Sequence, residues 1–219
     1  MQNIKLIIGD KNYSFWSLCP WLMLNMFNVK FEEIQIRLYQ SNTAEKLGPY
    51  SPSLKVPVLL HNDVTIWDSL SICEYISGEV LPDSGWPKSP KRRATARSVS
   101  AEIHADFSEI KKHWPMNCSA TFKPFARDKL LNEVARIDAI FSCCRHRYGE
   151  NGLYLFGRFS IADCLYAPMA ICLHNHRAVL SDESRLYVNT LLANPFIQRW
   201  LAQARAELQP HCLPEVGNF

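Results

Sequence analysis

The sequence predicts an α/β domain over residues 1–80, a connector over 81–93 and an all-α domain over 94–219. Three observations carry this. Short apolar runs bounded by turn residues alternate with a helical pattern in the first 80 residues. "LPDSGWPKSPKRR" (81–93) is rich in Pro, Gly and charge, as a linker is. Beyond it strand signals vanish, and apolar residues recur every three or four positions.

The elements follow in order. "IKLII" (4–8) reads as a buried strand, and residues 15–27, apolar on most faces, as a helix packed on a sheet. "EEIQIRLY" (32–39) alternates as a strand does. "VPVLL" (56–60) and "VTIW" (64–67) are two further strands, joined through the tight turn "HND". "DSLSICEYISG" opens on Asp68, a good N-cap, and stops at Gly78, a good C′ residue. The order β-α-β, then β-β-α, is that of a thioredoxin-like sheet. In the second half Val99, Ile103, Phe107, Ile110 and Trp114 mark one amphipathic helix. Val134, Ile137, Phe141, Cys144 and Tyr148 mark another. Asn194 and Pro195 form a helix start at N-cap and N1. No internal repeat or low-complexity tract interrupts the chain.

Composition narrows the function. The net charge of +3 is too small to argue for nucleic acid. Residues 1–80 carry 6 Lys and Arg against 8 Asp and Glu, and the remainder 18 against 13. "KSPKRR" (88–93) lacks interleaved aromatics and reads as a solvated connector. No apolar run approaches the roughly 18 residues of a membrane span. The opening "MQNIKLIIGDK" is too short in apolar residues for a signal peptide. The eight cysteines contain no C-x-x-C, which fits reduced thiols in a cytoplasmic protein. "HNH" (174–176) lacks companion ligands at a metal spacing, so no metal is expected.

Three stretches carry chemistry. "KVPVLL" is followed by "WDSLSICEYI": a Val-Pro dipeptide opening a strand, then an acidic residue and a serine opening a helix. "FGRFSIADCLYAP" (156–168) holds the S-x-x-D capping box Ser160–Asp163, which is folding hardware. "NYSFWSLCPW" (12–21) sets hydroxyls and a thiol where the first helix begins. Together they resemble the cytosolic glutathione transferases, over nearly the whole chain and with the serine-type, zeta-like and related bacterial members nearest. The resemblance implies the glutathione transferase fold, and glutathione as co-substrate without a metal.

By that resemblance, a cis Val56–Pro57 bond turns the Val56 N–H and C=O outward to pair with the tripeptide, as an added strand would. Ser69 and its N–H take the γ-glutamyl carboxylate, Asp68 faces the α-amino group, and Lys55 contacts the tripeptide. Asp68 is shorter than the more frequent Glu. Ser14 occupies the position that touches the substrate thiol, with Tyr13, Ser17 and Cys19 as alternatives. Cys19-Pro20-Trp21 imitates the omega-class motif but falls about one turn inside the helix. Trp114 and Met116, in "HWPMNC", are expected to line a pocket for a small apolar electrophile, with core packing the competing reading. Conjugation of glutathione to that electrophile is the expected reaction. A glutathione-dependent isomerase, a thiol-disulfide reductase and a non-catalytic glutathione-binding protein are the rivals. A homodimer is implied as well.

Overall fold

The computed structural model describes residues 3–82, 84–123 and 127–207. Strand β1 (Ile4–Ile8) leads into helix α1 (Phe15–Met26), strand β2 (Glu32–Gln35) and the short helix α2 (Thr43–Leu47). Strands β3 (Val58–His61) and β4 (Val64–Trp67) and helix α3 (Ser69–Tyr75) complete the first half. The sheet order is β2-β1-β3-β4, with β1 parallel to β2 and antiparallel to β3, and β3 antiparallel to β4. This is the thioredoxin-like arrangement. Alternation along β1 divides its side chains. Ile4, Leu6 and Ile8 face the main core, while Ile7 faces a smaller cluster with Ile36, Leu47 and Val58.

The second half is helical: α4 (Pro90–Ala105), α5 (Ser108–His113), α6 (Asp128–Tyr148), α7 (Ile161–Asn175), α8 (Asp182–Leu192) and α9 (Pro195–Ala206). One hydrophobic cluster runs unbroken from α1 and α3 into α4, α6 and α7. Pro90 to Arg93, grouped with the connector by composition, form the first turn of α4, with Pro90 at its start.

Local signals and structure part at four places. The strand expected over 32–39 ends at Gln35, because the Leu38 N–H leaves the ladder for the Asp10 carboxylate at 2.7 Å. The strand expected from Val56 begins at Val58, since Pro57 has no N–H to offer a ladder. Gly78 does not terminate a helix. It lies within a π-helical turn, Ile76–Val80, which carries Ser77 to the Gly85 N–H at 3.2 Å. The helix expected from Val99 to Trp114 is two helices, broken at Phe107 with φ +63°. The break is capped from outside: the Glu133 carboxylate on α6 accepts Glu109 N–H at 3.2 Å and Ile110 N–H at 2.8 Å. Apolar spacing persists across the break, which is why periodicity alone could not show it.

The capping pair at α7 forms within a larger knot. The buried Asp163 carboxylate accepts from Ser160 N–H and Oγ, Leu155 N–H and the Tyr187 hydroxyl, all within 3.0 Å. Burial outweighs these four donors and pushes the carboxyl up to about 6. A carboxyl raised in the folded state contributes stability below its unfolded value near 4, and loses it as pH rises through about 6. Wild-type protein should therefore lose roughly 1 to 3 kcal/mol relative to Asp163→Asn between these pH values. Denaturant unfolding across that range measures it, and parallel stability curves for the two proteins would refute it.

Candidate functional site

The sheet register gathers the candidate groups at one end. Continuing the β1–β3 pairing by two residues sets Val56 opposite Gly9, and continuing β3–β4 by one sets Pro57 opposite Asp68. The loop into α1, the Val-Pro corner and the head of α3 thus share an edge of the fold.

Ser14 is the N-cap of α1, and its N–H donates to the Asp10 carbonyl at 2.8 Å. Its hydroxyl, on a residue only 6% exposed, donates to Ser17 Oγ at 2.6 Å. Ser17 Oγ also accepts the Gly9 N–H at 3.2 Å. Ser17, one of the alternatives, is therefore the direct partner of Ser14 and holds its hydroxyl inward. A side chain at Gly9 would crowd its neighbours: a Cβ there would lie 2.5 Å from Leu38 Cδ1 and 3.1 Å from Ser14 Cβ, so Leu38 would have to shift. Tyr13 is half-buried in the same loop.

Cys19 is 0% exposed, and burial, with Cys73 nearby, pushes its thiol well above the ordinary value. A thiol so placed is not a thiolate at neutral pH. It lies where α1 packs on the rest of the core, past the reach of the helix N-terminus.

The Val56–Pro57 bond is cis. The loop before it is shaped by Ser51, whose hydroxyl donates to the Lys55 carbonyl at 2.7 Å and accepts the Lys55 N–H at 3.1 Å. The Lys55 side chain is exposed and Val56 is half-buried. Among the described residues, no backbone partner engages the Val56 N–H or carbonyl.

Asp68 caps α3 with φ +76°. Its Oδ1 accepts Leu70 N–H at 3.0 Å and Ser71 N–H at 3.1 Å, while Oδ2 lies 2.6 Å from His104 Nε2 on α4. The His104 ring packs against Trp16 at 5.1 Å, and Lys111 Nζ sits 5.0 Å from the Trp16 ring centre and donates to the His104 carbonyl at 3.2 Å. Helices α1, α3 and α5 therefore converge on His104 of α4. Ser69, beside Asp68, is 2% exposed, and among the described residues its hydroxyl has no partner.

Trp114 and Met116 lie in the packed core, 3% and 2% exposed. Trp114 stacks on His176 at 5.2 Å. A cavity of about 450 Å³, lined by Cys118, Thr121, His174, Asn189, Leu201 and Arg205 among others, includes neither. Half-buried aromatic surface beside Ser14 comes instead from Phe15 and Trp16. His104 and Trp16 escaped the sequence reading, and Ser17 entered it as an alternative to Ser14 rather than as its partner. Ser17 had a signal, a hydroxyl three residues from Ser14 on one helix turn; His104 had none. Among the described residues, no group of three or more His, Cys, Asp or Glu is placed to hold a metal ion, and no helix is long and apolar enough to cross a membrane.

Residues 13–79 match the family model of the glutathione S-transferase N-terminal domain. A probable maleylacetoacetate isomerase of Caenorhabditis elegans is 37% identical over 105 residues, 46% of this chain and 47% of that protein. The chain spans about half the length of the curated relatives it matches. Among solved structures, a glutathione transferase homolog from Burkholderia gl BGR1, with bound glutathione, superposes with a TM-score of 0.67 at 24% identity, covering 94% of this chain and 99% of that one. A diazinon-metabolizing glutathione S-transferase of the silkworm Bombyx mori reaches 0.72 at 19% identity, with the same coverage.

The cap role of Asp68 is separable from any ligand role. Asp68→Ala should cost about 0.5 to 2 kcal/mol of stability by loss of the α3 cap. Denaturant unfolding without ligand measures this, and unchanged stability would show that the cap is dispensable.

Proposed function

We propose that this chain, whose residues 13–79 are a glutathione S-transferase N-terminal domain and whose fold is that of the transferases throughout, binds glutathione and conjugates its thiolate to a small apolar electrophile. The observation that carries the reading is the Ser69 hydroxyl, buried and without a partner among the described residues, beside the cis Val56–Pro57 corner. A buried hydroxyl left unpaired costs about 1–3 kcal/mol, so it marks a place where a ligand acceptor belongs. The unengaged backbone of Val56 supplies a donor and an acceptor for an extended peptide at the same edge. Lys55, with its exposed cation, stands next to them. Asp68 already spends Oδ1 on α3 and shares Oδ2 with His104, so an α-ammonium group would bind Oδ2 alongside the imidazole.

Ser14 holds the thiolate. Free glutathione is mostly thiol at neutral pH, since an ordinary thiol titrates near 8.5, and the thiolate is the nucleophile. A hydroxyl donating to sulfur and the positive end of α1 each contribute on the order of 1 kcal/mol, together lowering the thiol pKa by about 1 to 2 units. The hydroxyl must first turn from Ser17. That exchange gives up a neutral hydrogen bond of about 0.5–1.5 kcal/mol for a charge-assisted one of about 1.5–3, so the thiolate wins. Ser14 is then a donor and not a covalent nucleophile. Phe15 and Trp16 offer the electrophile a flat apolar wall.

The isomerase reading remains open through the C. elegans relative. Glutathione-dependent turnover of a maleyl substrate, compared with conjugation, distinguishes the two. Disulfide reduction through Cys19 is disfavoured by its burial. We place the protein in the cytoplasm as a two-fold dimer. Val64 and Trp67, 47% exposed in the case of Trp67, lie on β4 at the outer edge of the sheet, an edge that association would cover. A mass near the 25.2 kDa of one chain in light scattering would overturn the dimer.

Three substitutions test the site. Ser69→Ala should weaken glutathione binding by about 1–3 kcal/mol in calorimetry, and unchanged affinity moves the carboxylate site elsewhere. Ser14→Ala should keep the fold, cut conjugation about tenfold to a hundredfold and raise the bound thiol's pKa. Cys19→Ser should change neither. Loss of activity in Cys19→Ser with a silent Ser14→Ala would make this a cysteine-type thiol transferase.

A further inference from the structure

We propose that Glu207, at the C-terminal end of α9, is a positioning residue for the loop that carries Ser14. The proposal rests on the reading of Ser14 as the thiolate donor. Between β1 and α1 the backbone has no ladder or helix to satisfy it, and its polar groups must find partners elsewhere. They find them in the helical domain. One oxygen of the Glu207 carboxylate accepts the Lys11 N–H at 2.7 Å and the other accepts the Asn12 N–H at 3.1 Å. The Trp200 indole donates to the Lys11 carbonyl at 3.0 Å. Cys118 N–H donates to the Asn12 carbonyl at 3.2 Å, and the Ser119 hydroxyl to Asn12 Oδ1 at 2.9 Å. Every backbone polar group of Lys11 and Asn12 is thus held by the second half of the chain. The Lys11 side chain runs inward to Glu33, with Nζ 5.9 and 5.5 Å from the Trp21 and Trp200 ring centres.

The location of this carboxylate is informative. A negative charge at a helix C-terminus opposes the helix dipole. Glu207 sits at that end of α9, where it gains nothing locally, and its two charge-assisted bonds to successive loop amides offset the cost. Ser14 follows the clamp by two residues, and its own N–H returns to Asp10 just before it. A misplacement of about 1 Å at a reacting group can cost a hundredfold in rate, so fixing this loop fixes the donor.

A positioning role and a direct electrostatic role predict opposite signs. A carboxylate acting through its charge would oppose a nearby thiolate, so its removal would lower the bound thiol's pKa. A carboxylate that positions Ser14 would, when removed, raise it. The test uses full-length wild type, Glu207→Ala, the isosteric Glu207→Gln and Ser14→Ala, each saturated with glutathione. Thiolate absorbance is followed against pH, with amide hydrogen exchange at Lys11, Asn12 and Ser14 alongside. Glu207→Ala should raise the bound thiol's pKa by about 0.5 to 1 unit, a threefold to tenfold loss of thiolate at neutral pH, and quicken exchange at Lys11 and Asn12. Glu207→Gln, which keeps one acceptor, should fall between, so a failure of the alanine variant to fold leaves the test intact. A thiol titration unmoved or lowered in the Glu207 variants, with Ser14→Ala raised, overturns the positioning role alone. An unmoved titration in Ser14→Ala overturns the Ser14 reading, and with it the purpose assigned to Glu207.

Discussion

The packing of α1 between the sheet and α7 is the constraint on which the remaining architecture depends. Leu18, Cys19, Pro20, Trp21, Leu22, Met23 and Leu24 are all buried, so the helix is covered on every side through its middle. A helix apolar all round is a core helix. Its coverage comes from β1 and α3 on one side and α7 on the other, within one hydrophobic cluster. The two halves of the chain cannot separate without exposing this helix, at about 25 cal/mol for each Å² of apolar surface. Both ends of α1 are less covered: Phe15 and Trp16 at its head and Asn25 and Met26 at its tail are half-buried, while Ser14 at the N-cap is itself buried. A helix so seated has the direction of its head already set.

The same burial separates the thiols from the chemistry. Cys19 on α1, Cys73 on α3 and Cys164 on α7 lie in the shared core, and burial raises all three thiols. In that environment sulfur behaves as a small apolar group. The proposed polar function falls instead to the hydroxyl at the head of α1, the backbone at the cis-proline corner and the cap of α3. A glutathione thiolate brought in from solution is consistent with a chain whose own described thiols are mostly sealed.

Strands β1 and β4 and the caps of α3, α7 and α9 were legible in the sequence, because each rests on a local rule of apolar patterning or capping; the cis Val56–Pro57 corner was implied only by the family resemblance. The break at Phe107 was not, since Glu133 supplies its cap from α6 and the apolar period continues across it. Trp114 and Met116 show the limit of composition: an aromatic and a methionine at the end of a helix suit a pocket wall and a core equally well, and sequence alone could not show that the two are 3% and 2% exposed. Ser14 and Ser69 were legible as types at positions, but the inward turn of one hydroxyl and the orphaned state of the other were not. Those are facts about neighbours distant in sequence.

The contacts that sequence could not supply share a pattern. His104 reaches Asp68 from α4, Glu207 reaches the α1 loop from the end of α9, and Trp200 reaches the same loop from about two turns further back. In each case a polar group of the first half is held by a side chain of the second. Groups that bind a tripeptide must stay partly unsatisfied until it arrives, and partly satisfied groups in loops are mobile. Support from the helical domain resolves this: it fixes the backbone of Lys11 and Asn12 and one oxygen of Asp68, while leaving Val56 and the Ser69 hydroxyl unengaged. On the proposed reading, the first half supplies the recognition surface and the second its rigidity. The His104 ring packs on Trp16 and bonds Asp68. If Asp68 borders the tripeptide as proposed, occupancy on the apolar side and binding on the glutathione side are joined by that single hydrogen bond.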